Sequence, residues 1–223
     1  MLRAPIRVKV CCIASDEEAA LAIRMGASAI GLVSQMPSGP GSIAEALIRD
    51  IAHNVPPGVD TFLLTCETTA ERIIAQQRFC RTTTIQLVDE VEPGVHARLR
   101  EALPGVSLVQ VIHVRDDDSL RQSVAVASAV DALLLDSGNP SAPTKELGGT
   151  GRVHDWAVSR RIRDSVDVPI YLAGGLNPGN VGKAIARVEP FAVDVCSGLR
   201  TNGALDELKL AAFMREVAPG APV

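Results

Sequence analysis

Runs of β-branched and aliphatic residues, five or six positions long, alternate along the chain with stretches whose apolar residues return at helical spacing. The first pattern is that of a buried strand, the second that of an amphipathic helix. Strand-like runs occupy 7–11, 28–33, 60–65, 83–88, 108–113, 131–136, 169–173 and 192–196, eight in all. Helical spacing fills 16–25, 43–53, 69–78, 119–128, 155–165 and 180–188. A final helix is expected over 205–217, before a tail, 218–223, that frays. Local chemistry agrees with several starts. Ser15 precedes Asp16, Glu17 and Glu18, whose charges suit the positive end of a helix dipole, and Asn177-Pro178 opens another helix.

The strand-to-strand repeat averages roughly 26 residues, the size of a βα unit in a compact eightfold barrel. The expected fold is therefore α/β, a (β/α)8 TIM barrel, with an open doubly wound sheet as the alternative built from the same units. Eight successive units, with glycine-rich loops after the last two, favour closure. No stretch rich in Pro, Gly or Ser divides the chain, so one domain over 1–223 is expected.

Composition narrows the function. The formal charge of −4 gives no footing for a polyanion or an acidic membrane surface, so neither nucleic acid nor membrane is an expected partner. Aromatics are only 3% of the chain, so Val, Ile, Leu and Ala must fill the core. No apolar run is long enough to cross a bilayer, and residues 1–9 lead into the first strand without a secretory core, so a cytoplasmic location is expected. Cys11, Cys12, Cys66, Cys80 and Cys196 are odd in number and lack knuckle spacing, which points to free thiols. His53, His96, His113 and His154 show no metal-ligand spacing either, and solvated or hydrogen-bonded roles are expected. Nothing here fixes the oligomeric state.

In a parallel barrel, chemistry sits at the carboxyl ends of strands. At the first, Lys9 and Cys11 share one face and Cys12 is expected on the other. A neighbouring cation raises the thiolate fraction of a cysteine, so Cys11 is a candidate base or nucleophile; buried packing is its plain alternative. The sixth strand delivers Asp136, which burial would keep protonated as a general acid, unless it caps the next turn. Gly148-Gly149-Thr150-Gly151 follows in the longest connection. Ala173-Gly174-Gly175 and Cys196-Ser197-Gly198 end the seventh and eighth strands, where barrels often hold phosphate on backbone N–H groups. Lys9 and Asp194 become neighbours only if the barrel closes, and each would otherwise be a costly buried charge.

The combined pattern resembles the phosphoribosylanthranilate isomerase family of ribulose-phosphate-binding barrels. The residues that carry it are Lys9-Val10-Cys11, Leu133-Leu134-Leu135-Asp136, Gly148-Gly149-Thr150-Gly151 with Asp155-Trp156, Leu172 through Pro178, and Val193 through Gly198. The resemblance spans nearly the whole chain. It implies an Amadori rearrangement of N-(5-phosphoribosyl)anthranilate without metal or redox cofactor, with Asp136 as acid at the furanose oxygen and Cys11 as base at C2. It further implies phosphate held around Gly174, Gly175, Ser197 and Gly198, and a covering loop with Gly149 and Gly151.

Three positions depart from the family. Its usual arginine-bearing loop after the second strand is Ser34 through Ser42 here, without a basic residue; the glycine after the catalytic cysteine is Cys12; and the histidine of the fourth strand is Val88. Arg200 is a candidate replacement cation for a carboxylate or the phosphate, with a solvated arginine as its alternative. A diverged isomerase of another phosphoribosyl amine, or a silent phosphosugar-binding barrel, remain alternatives.

Overall fold

The computed structural model describes residues 5–37, 39–138 and 153–218. Eight parallel strands close into a barrel in chain order. They are β1 (Arg7–Val10), β2 (Ala29–Val33), β3 (Asp60–Thr65), β4 (Thr84–Leu87), β5 (Ser107–His113), β6 (Ala132–Asp136), β7 (Ile170–Leu172) and β8 (Ala192–Val195). Helices α1 (Asp16–Arg24), α2 (Glu45–Asn54), α3 (Ala70–Cys80), α4 (Val95–Ala102), α5 (Asp117–Ala127), α6 (Trp156–Ser165), α7 (Val181–Val188) and α8 (Glu207–Val217) follow the strands in turn. The open-sheet alternative falls on one pairing: β8 lies beside β1, with Lys9 opposite Asp194.

Side-chain alternation builds two apolar layers. Outward residues such as Val8, Val10, Ile30, Leu32, Ile85, Leu133 and Val193 pack against Ile48, Ile51, Ile73, Leu99, Ile162 and Phe213 of the helices. Inward residues, among them Phe62, Leu64, Val109, Val111, Leu134 and Tyr171, fill the barrel itself. Two of the aromatics lie there: Tyr171 meets Phe62 edge-on with ring centroids 5.6 Å apart, and on its other side meets the exposed Phe191 at 5.7 Å. Among the described residues no helix is long and apolar enough to cross a membrane.

The chain departs from its pattern in three places. Helix α4, eight residues long, follows Gly94 in left-handed backbone and has no side-chain cap, so no capping signal marks its start. The final helix begins at Glu207 rather than residue 205, because Asp206 caps it by accepting from the N–H groups of Leu208 and Lys209. The residues before it form a small hairpin, β9 (Arg200–Thr201) and β10 (Ala204–Leu205), turning through Asn202 and Gly203, both with positive φ. Finally, Cys12 does not face the helices. Beyond the end of β1 its φ is 61°, which breaks the strand alternation and returns its side chain to the barrel interior.

Candidate active site

β1 carries Lys9 inward and, one residue past its end, Cys11, whose N–H donates to the Val195 carbonyl at 2.8 Å. Both side chains converge over Gly31 of β2. A methyl group there would lie 2.7 Å from Cys11 Sγ and 3.0 Å from Lys9 Nζ, so the glycine leaves the room they occupy. Lys9 is wholly buried, donates to Asp194 Oδ1 at 2.9 Å, and stands 5.1 Å from the Phe62 ring centre. Burial works against its charge, but Asp194 and the Cys11 sulfur outweigh it and hold the ammonium above the ordinary lysine range. The sulfur therefore sits beside a fixed cation.

Cys11 is held below the usual thiol value. The largest cause is a hydrogen bond from the Cys12 thiol; burial opposes it, and Lys9 adds to it. Asp136, at the end of β6 and 9% exposed, moves the other way: burial raises it, against the Ser137 N–H that donates to Oδ1 at 2.7 Å. His113 of β5 is its register neighbour. His113 Nε2 meets the Val88 carbonyl at 3.0 Å, which places a proton on that nitrogen, since a carbonyl can only accept. Cys11 and Asp136 thus occupy the same inner rim, the thiol shifted toward its anion and the carboxyl toward its neutral acid.

The loops after β7 and β8 adjoin on that rim. Gly174 and Gly175 have φ of 83° and 65°, a backbone turn that side chains other than glycine resist. Asn177 and Asn180 both donate to the Gly175 carbonyl, at 3.3 and 3.0 Å, and pin this turn to the start of α7. Gly198, in the short 3-10 turn Ser197–Leu199, comes so close to the Leu176 carbonyl that a side chain would not fit. Ser197 is exposed and Gly198 half-buried beside it. The arrangement brings Gly174, Gly175, Ser197 and Gly198 to one mouth with a geometry suited to backbone contacts with an anion. Gly149 and Gly151 lie outside the described residues.

Arg200 has a different task from the substrate contact expected of it. Its Nη1 and Nη2 each donate to Glu18, both at 2.9 Å. Nη1 also reaches the Gly203 carbonyl at 2.7 Å, and Nη2 the Cys12 carbonyl. A bidentate ion pair with two further acceptors leaves those nitrogens nothing for a substrate. Glu18 completes the clamp by accepting from Ala14 N at 3.0 Å and Leu205 N at 2.9 Å. In the sequence Glu18 stands among the acidic residues after Ser15, a pattern that marks a helix start but not the distant arginine. Among the described residues no cluster of three or more His, Cys, Asp and Glu is arranged to hold a metal ion.

Residues 8–216 match the family model described as N-(5'-phosphoribosyl)anthranilate (PRA) isomerase. An N-(5'-phosphoribosyl)anthranilate isomerase of Methanocella arvoryzae is 34% identical over 204 residues, covering 92% of this chain and 93% of that protein. The crystal structure of the phosphoribosyl anthranilate isomerase of Thermotoga maritima superposes with a TM-score of 0.80 at 28% identity, over 95% of this chain and 98% of that one. A phosphoribosyl anthranilate isomerase crystallised with reduced 1-(o-carboxyphenylamino)-1-deoxyribulose 5-phosphate superposes with a TM-score of 0.77 at 26% identity, with the same coverage of 95% and 98%.

Proposed function

The chain belongs to the N-(5'-phosphoribosyl)anthranilate isomerase family, and we propose that Cys11 and Asp136 perform its chemistry as base and acid on one sugar. The reaction is an aldose-to-ketose isomerisation in tryptophan biosynthesis, the Amadori rearrangement of N-(5'-phosphoribosyl)anthranilate to 1-(2-carboxyphenylamino)-1-deoxyribulose 5-phosphate. The substrate is small and phosphorylated.

Asp136 gives its proton to the furanose oxygen as the C1–O bond breaks, and the nitrogen lone pair closes a C1=N iminium. The Cys11 thiolate then removes the C2 proton, the electrons fall back through C1 to nitrogen, and the enol that results tautomerises to the ketone. Lys9 steadies the sulfur anion, and Asp194 fixes Lys9. Backbone groups of Gly174, Gly175, Ser197 and Gly198 hold the phosphate, converting remote binding into orientation of the sugar between acid and base. The reading includes a cytoplasmic location, in keeping with five free cysteines.

What supports this reading most is the opposed electrostatics of the two rim residues. The productive state needs a thiolate and a carboxylic acid together, and each unit by which their pKa values approach enlarges that population about tenfold. Expression of the chain in a tryptophan auxotroph lacking this isomerase should restore growth, and the purified protein should turn over phosphoribosylanthranilate. Absence of both in a folded preparation would refute the reading.

A further inference from the structure

We propose that His154 is a substrate-binding residue at the mouth after β7, with its Nδ1–H donating to an oxygen of the phosphate. The inference rests on that mouth holding the phosphate, as read above. His154 stands two residues before the start of α6. Its Nε2 lies 2.7 Å from Ser159 Oγ, and Ser159 is wholly buried within α6. The two nitrogens of an imidazole point to opposite sides of the ring, so the Nδ1 edge is turned away from the helix. It meets Gly174: a methyl group there would lie 2.8 Å from Nδ1 and 3.2 Å from both Cε1 and the Ser137 Oγ. The glycine that gives the turn its φ of 83° therefore also admits the ring. Nδ1 is shielded from bulk water, yet it finds no hydrogen-bond partner among the described residues. A buried polar atom in that state costs stability until a partner satisfies it, and at this mouth the partner comes with the ligand.

Counting donors and acceptors places the proton. Burial, against the pull of Asp155, holds the ring neutral at pH 7, so it carries one N–H. The Ser159 hydroxyl has no other partner among the described residues. If Nε2 held the proton and donated to Oγ, both the serine hydrogen and the Nδ1 lone pair would be stranded. If the serine donates to Nε2 instead, only Nδ1–H is left over. The second arrangement strands fewer polar groups, and it turns a donor toward the Gly174–Gly175 turn. An N–H that can only donate suits an oxygen that only accepts, which is what a phosphate dianion offers. Arg200, the cation expected for that task, is already taken up by Glu18 and by the carbonyls of Cys12 and Gly203. His154 thus adds a side-chain donor to the backbone groups of the loops after β7 and β8.

The test sets His154→Asn, His154→Gln and His154→Phe beside the parent protein. Calorimetry gives the Kd of each for inorganic phosphate and for reduced 1-(o-carboxyphenylamino)-1-deoxyribulose 5-phosphate, and thermal melts check folding. Phosphate binding needs neither turnover nor the anthranilate ring. A parent that holds phosphate but does not turn over phosphoribosylanthranilate would therefore refute the proposed chemistry and leave this test standing. The amide nitrogen of asparagine falls near the place of Nδ1, whereas that of glutamine falls near the place of Nε2. His154→Phe and His154→Gln should each weaken both ligands roughly tenfold, the scale of a lost hydrogen bond to a charged group, while His154→Asn stays within about threefold of the parent. If the ring served only to hold Ser159, the order would reverse, with glutamine nearer the parent than asparagine, and that order would overturn the proposal. So would parental affinity in His154→Phe, weakened analogue binding with phosphate binding unchanged, or a parent that does not bind phosphate. Should the phenylalanine variant not fold, the asparagine and glutamine variants decide it.

Discussion

At the scale of single residues, Asp136 and Cys11 could be singled out as the proposed acid and base because each stands at the end of an apolar run, where a barrel puts its chemistry. Their partners could not. Glu18 read as a helix-start charge and Arg200 as a spare cation, since the two lie 182 positions apart and meet only once the barrel has closed. Strand alternation points Cys12 at the helices, but alternation holds only while the backbone stays extended, and its φ of 61° breaks it. His154 supplies a test of the local electrostatics. Its Nε2 lies 2.7 Å from Ser159 Oγ, and burial, against the pull of Asp155, pushes its pKa down to about 4 from 6.5. The folded state then binds fewer protons than the unfolded one below pH about 6.5, so the stabilisation is full above that value and is lost as pH falls toward 4. The parent should therefore lose about 1–2 kcal/mol more than His154→Gln between pH 7 and 5. Urea denaturation at both pH values checks it, and parallel losses in the two proteins would count against a buried neutral imidazole.

At the scale of elements, strands were easier to place than short helices. Each strand lies between two apolar layers, so its run of Val, Ile and Leu is nearly continuous, as in Leu133-Leu134-Leu135 of β6. Helix α4 has eight residues and no capping side chain to announce it, and the hairpin of β9 and β10 has strands of two residues each, too short for a periodic signal. The contact that joins first strand to last is Lys9 with Asp194, both under 9% exposed. Removing one partner strands a buried charge, whereas removing both leaves an apolar gap that neighbours can fill. Lys9→Met should therefore cost about 3–5 kcal/mol, and Lys9→Met with Asp194→Leu should recover much of it. Equal losses in the single and double variants, measured by denaturant unfolding, would show that the pair is not what closes this seam.

At the scale of the whole molecule, closure is what turns eight modest strand ends into a site. It sets the β1 thiol, the β6 carboxyl and the loops after β7 and β8 around one mouth, and it lets a helix start on one side be clamped by an arginine from the other. Fold and reaction class were legible because the repeat and the loop motifs run in order along the chain. The pairing of Arg200 with Glu18 and the turn at Cys12 depend on distances that order alone does not contain. The most direct test is kinetic: kcat of Cys11→Ala and of Asp136→Asn with phosphoribosylanthranilate, beside the Kd of each variant for reduced 1-(o-carboxyphenylamino)-1-deoxyribulose 5-phosphate. Both variants should lose about 10²-fold or more in kcat while the analogue binds within about threefold of the parent. Near-parental turnover in either variant would contradict the acid and base assigned here.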